Sequence, residues 1–106
     1  MITCKDNVRF KRLRPEIYNL FGGLDSVFSA MNVECVITSA NDSSHSANSL
    51  HYLDAAIDLR SKHLIAGNKH LMLSRLQALC GKDYDILLEN PGLENEHFHI
   101  EFDPKH

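Results

Sequence analysis

The order of elements legible in this chain predicts an α+β fold, a small antiparallel sheet with flanking helices. Three observations carry that expectation. Short stretches such as VECVIT and HFHIEF alternate in period two, two longer stretches space their apolar residues helically, and Gly, Pro and Asn punctuate the joins.

Residues 7–13, VRFKRLR, alternate apolar and basic side chains and predict a short edge strand whose cations discourage pairing with another chain. From Pro15 to about Met31, the residues Ile17, Leu20, Leu24, Phe28 and Met31 keep helical spacing, and Pro15 suits a first turn. Gly22-Gly23 is a place for that helix to kink or split. Residues 33–38 are β-branched and alternating, hence a strand. Ser39 to Asn48 is polar and turn-rich, a loop, and a strand follows at about 54–59.

Asn68 suits the cap of a helix running to about Cys80, with Met72, Leu73, Leu76 and Leu79 as its buried stripe and Gly81 as its stop. Residues 84–89 read as a strand, Asn90 to Asn95 as a turn, and His97 to Phe102 as the returning strand.

Composition fits one globular domain over residues 1–106: 43% apolar and 24% charged residues suffice for a single core and no second module. A net charge of −3 argues against non-specific nucleic-acid binding. No apolar run has the length of a signal peptide or membrane span, so the expectation is a monomer, cytoplasmic when synthesised and without a membrane partner. Cys4, Cys35 and Cys80 are odd in number and lack CxxC spacing, which predicts free thiols. Cys35 and Cys80 lie in apolar surroundings and read as small core residues.

Chemistry concentrates in two stretches, Ser49–Arg60 (SLHYLDAAIDLR) and Glu96–Phe102 (EHFHIEF). The first offers His51 and Asp58, the second His97 and His99. Seven residues of straight strand span roughly 23 Å and seven of helix about 10 Å, whereas ligands of one zinc all lie within about 2.0–2.2 Å of it. For His51 and Asp58 to share a metal, the backbone must double back near Leu53–Asp54. Alternation puts His97, His99 and Glu101 on one face of the last strand and Phe98, Ile100 and Phe102 on the other, the core face. Three such ligands and an open position make a catalytic zinc site.

The pattern Ser49-x-His51-x-x-Asp54-x-Ala56-x-Asp58 resembles the Ser-x-His-x-x-Gly-x-Ala-x-Asp signature of the zinc D-Ala-D-Ala carboxypeptidases and L-alanyl-D-glutamate endopeptidases, a group that includes many phage endolysins. His97-Phe98-His99 resembles that group's His-x-His, and the run from His45 to Asp58 resembles the zinc-bearing segment of the hedgehog signalling domain, which shares the fold. Asp54 stands where the signature has glycine, and residues 38–42, TSAND, lack the arginine of its Ser-Gly-Tyr-Arg version.

The resemblance implies a Zn2+ ion on His51, Asp58 and His99, and a peptidase that cuts peptidoglycan stem peptides and acts on the cell wall if released. The alternative it allows is a non-catalytic, zinc-stabilised binding module. It implies Glu96, three residues before His99, as general base, with Glu89 as runner-up and Glu94 repeating the same spacing before His97. His97 would hold water or stabilise an oxyanion, and His45 would contact substrate. Ser49 has no base placed to make it a nucleophile. Tyr52 reads as packing, His63, His70 and His106 as surface, and Arg60 as pointing away from the metal face.

Overall fold

In the computed structural model, residues 2–6, 8, 13–40 and 55–104 are described. They form strands β1 (Ile2–Cys4), β2 (Cys35–Ser39), β3 (Ala56–Arg60), β4 (Tyr84–Glu89) and β5 (His97–Phe102). Three helices join them: α1 (Pro15–Tyr18), α2 (Phe21–Ala30) and α3 (Ala66–Cys80).

Alternation within each strand decides the layers. Ile57 and Leu59 of β3, Phe98 and Ile100 of β5, and Ile86 of β4 share one face. That face buries them against Ile17, Leu24, Phe28, Met72 and Leu76 of the helices. Phe28 meets Phe98 edge-on, with ring centroids 6.5 Å apart and an interplanar angle of 82°. Sheet order is β1-β2-β3-β5-β4. The α+β expectation holds, with one refinement: the sheet is mixed, because β1 runs parallel to β2 while every other pairing is antiparallel.

β4 and β5 run over the residues their pattern predicts, and β2 and β3 lie within two residues of theirs. The first edge differs. β1 is Ile2–Cys4, and the strand expected over 7–13 falls largely outside the described residues. The first helical stretch does split, though at Asn19–Leu20 and not at Gly22-Gly23. There the Leu20 amide donates three residues back to the Ile17 carbonyl, closing α1 with a tight turn before α2 begins. Gly23 serves packing: a Cβ there would stand 2.6 Å from Leu79 Cδ1, so its absence lets α2 approach α3.

α3 begins at Ala66, before Asn68, and ends as expected at Gly81, whose φ of 84° suits a residue without a Cβ. Met72 and Leu76 are fully buried and Leu73 partly, but Leu79 remains 37% exposed. The three cysteines are free: Cys4 is exposed, Cys80 half-buried and Cys35 buried. Burial pushes the Cys35 thiol up to about 12 and that of Cys80 to about 11, so both behave as apolar packing groups at neutral pH. Among the described residues, no helix is long and apolar enough to cross a membrane.

Phe98→Ala removes a fully buried phenylalanine from the core face of β5 and leaves the opposite face untouched. It is expected to lower the unfolding free energy by about 3–5 kcal/mol, measured by urea denaturation.

Candidate metal centre

The face of the sheet away from the helices carries the polar residues. β5 runs between β3 and β4, and its register places Asp58 opposite His99 and Glu89 opposite His97. Because all four share the outward parity of their strands, their side chains converge. His99 Nδ1 lies 2.9 Å from Asp58 Oδ1 and 3.8 Å from Glu89 Oε1. His97 Nε2 lies 2.9 Å from Glu89 Oε1 and 3.6 Å from Asp58 Oδ1. Asp58, Glu89, His97 and His99 each bring one donor atom within 4.8 Å of all the others, a group able to hold a metal ion.

The outer ring nitrogens say how the inner ones are used. His97 Nδ1 lies 2.8 Å from the Asn95 carbonyl, and His99 Nε2 lies 2.6 Å from Glu101 Oε1. A carbonyl and a carboxylate accept, so both outer nitrogens carry hydrogen. In neutral rings the inner nitrogens then turn lone pairs toward carboxylate oxygens at 2.9 Å. Lone pairs facing carboxylates repel unless a cation sits among them. In the metal-free chain a proton answers on His99. Burial disfavours its charged form, but hydrogen bonds to Asp58 and Glu101 outweigh burial and raise it to about 9. A metal ion is the other cation the group suits. The pairing of each imidazole with an outer acceptor is the arrangement that orients histidines on metals.

Glu96, expected from its spacing as the base, stands elsewhere. Its carboxylate is nearly fully buried and accepts hydrogen bonds from Ser61 Oγ at 2.7 Å and from the Gly92 amide at 2.8 Å. Lys69 of α3 adds an ion pair at 2.7 Å. The Lys69 ammonium, foremost, with the Gly92 amide and Ser61, outweighs burial and holds Glu96 down from 4.5 to about 2. Parity gives the reason: Glu96 precedes His97 by one residue and so turns to the side of Phe98, away from the cluster. It staples the β4–β5 turn to α3. That turn needs the staple's geometry as well as its own, with Asn90 at φ 51° and Gly92 at φ 82°.

Among the other expected residues, Asp58, His99, His97 and Glu89 are brought together. His45, Ser49, His51, Tyr52, Asp54 and His106 lie outside the described residues. The side chain of Glu94 is exposed on the turn. His63 and His70 are exposed, as expected; the His63 ring bonds the Glu34 carbonyl.

Two residues gain a part the sequence reading did not give them. Glu101 orients His99; its place on the polar face was legible, its partner was not. Arg60 pairs in register with His97 and lines a cleft with Asp58 and His97, on the metal face and not away from it. The signal was present, since Arg60 follows Asp58 by two residues of strand.

Comparison of the chain with protein-family models, with curated proteins and with solved structures found no match.

Glu101→Ala removes the acceptor on His99 Nε2 and is expected to weaken metal binding by about 10–100-fold, read by competition with a chelating dye, while the far-ultraviolet circular dichroism spectrum stays unchanged.

A second expectation concerns Glu96. Its folded pKa lies below its ordinary 4.5, so it contributes stability that is present above 4.5 and is lost as pH falls toward about 2. In the metal-free protein, Glu96→Gln is expected to cost about 1–3 kcal/mol at pH 7 and to flatten the acid decline across that window, measured by denaturant titration at several pH values.

Proposed function

We propose that this protein is a zinc-dependent peptidase acting on short peptides of the peptidoglycan stem type, with Asp58 and His99 as metal ligands, joined by His51. The observation that carries the reading is the convergence of Asp58, Glu89, His97 and His99 on one sheet face, both imidazoles held by outer acceptors. The donors suit zinc: imidazole nitrogen and carboxylate oxygen are its ordinary ligands besides thiolate, and none of the described cysteines joins the group. The choice of peptide bond comes from the resemblance of the two motifs, whose order along the chain matches the peptidase pattern.

When bound, zinc supplies Lewis acidity, polarising a scissile carbonyl and bringing water's acidity near pH 7. The remaining work falls to this chain's side chains. Glu89 is the carboxylate for proton transfer: its side chain is 42% exposed, against 16% for Asp58, so it reaches both the cluster and solvent water. It accepts the proton of the attacking water and returns it to the leaving amine. His97 stands beside that carboxylate, with Nε2 2.9 Å from Glu89 Oε1 and Nδ1 committed to the Asn95 carbonyl. Glu96 takes no part in the chemistry, because its oxygens are committed to Ser61, Gly92 and Lys69.

The test pairs metal content with hydrolysis. Wild-type protein is expected to carry one zinc by elemental analysis and to cleave peptidoglycan-derived peptides. His99→Ala is expected to lose the metal. Glu89→Gln is expected to keep it and to lose activity by about 10²–10⁴-fold. A Glu89→Gln protein as active as wild type removes Glu89 from proton transfer, and one that loses zinc makes it a ligand instead. Absence of hydrolysis in a zinc-loaded wild type overturns the peptidase reading.

A further inference from the structure

Beside the metal cluster, between β2 and the β4–β5 turn, the surface opens into a cleft of about 430 Å³. Asp58 and His97 line it together with three cations, Lys5, Arg60 and Lys62. The charges there are not mutually cancelled. Glu96 borders the cleft but its carboxylate is taken by Lys69, Ser61 and the Gly92 amide. Asp58 is taken by His99. Lys62 spends a hydrogen bond on the main-chain carbonyl of Glu94, whose own side chain is exposed at the rim. Arg60 and Lys5 have no carboxylate partner among the described residues.

Arg60 has an exposed side chain and a backbone fixed by strand pairing. It sits on β3 two residues beyond Asp58 and directly across from His97, so its Cα is about 7 Å from that of the metal-ligand candidate. Its planar fork matches a carboxylate with two parallel hydrogen bonds. Extended peptide advances about 3.3–3.6 Å per residue, so a group at Arg60 lies within about two residues of a group at the cluster.

Resting on the peptidase reading, we propose that Arg60, assisted by Lys5, binds a free carboxylate of the peptide ligand. The cleft then selects acidic peptides whose carboxylate stands within two residues of the carbonyl presented at Asp58 and His97. The two cations are specificity-determining residues. They face the substrate from the side of β2 and β3, opposite the strand that supplies Glu89.

Isothermal titration of the zinc-loaded full chain with acetyl-Ala-Ala and with acetyl-Ala-Ala-amide tests this, because the two ligands differ only in the charge of one end. The free acid is expected to bind about tenfold more tightly than the amide. Arg60→Gln is expected to remove most of that preference and Lys5→Gln with Arg60→Gln all of it, with zinc content unchanged. Equal affinity for the two ligands in wild type, binding of neither, or a preference that survives in the double variant overturns the assignment. Repeating the titration without zinc separates this inference from the peptidase reading. A preference for the acid in a protein that neither takes up zinc nor hydrolyses peptides sustains the carboxylate site while the peptidase reading falls.

Discussion

Everything on both faces of this sheet depends on the register between β3 and β5. With Asp58 opposite His99, the odd side of β5 delivers His97, His99 and Glu101 to the polar face, and the even side delivers Phe98 and Ile100 to the core. A slip of one residue would bury the histidines and expose Phe98, so apolar burial itself enforces the geometry of the metal cluster. β4 repeats the arrangement from the other side, with Ile86 inward and Glu89 outward. The site therefore rests on three paired strands, a stiffer support than loops give.

The same parity sorts the carboxylates. Glu89 and Glu96 flank one turn and look interchangeable by composition, yet they have opposite tasks. Glu89 faces the cluster and is open to water. Glu96 faces the helix side, where an unpaired charge is costly, and three donors including Lys69 meet it there. Spacing of three residues before a histidine marks a neighbour on a helix, where i and i+3 share a face. On a strand the same spacing marks the opposite side. This is the physical reason Glu96 is no member of the cluster.

Legibility in the sequence tracked how local the determining interaction is. β4 and β5 were readable to the residue because alternation, a Pro-Gly turn and a hairpin register all act within nineteen positions of chain, 84–102. The polar face of β5 followed from period two alone. β1 was not readable. Three residues have too little pattern, and their pairing is parallel to a strand more than thirty positions away. Glycine is the usual helix breaker, which puts the expected split between α1 and α2 at Gly22-Gly23. In the structure Gly23 answers instead to Leu79 across a helix contact that no local rule contains. Glu101 and Arg60 were assignable to a face but not to a partner, because partners come from the neighbouring strand.

Among the described residues, the polar cluster is backed by the sheet and partly exposed on its outer side. His99 is the most enclosed member, with 12% of its side chain exposed, and Glu89 the least, with 42%. Each imidazole has its outer nitrogen committed, to Asn95 or Glu101, so the inner nitrogens point one way and are not free to rotate. A purely structural metal site encloses its ion with protein donors on all sides, whereas a catalytic one leaves a position for water or substrate. Here Asp58 and His97 also line the cleft of Arg60 and Lys5, and the most exposed carboxylate of the cluster, Glu89, stands on β4. The fold itself is held from the other face of the sheet, by the core of Phe98, Ile57, Phe28 and Leu76.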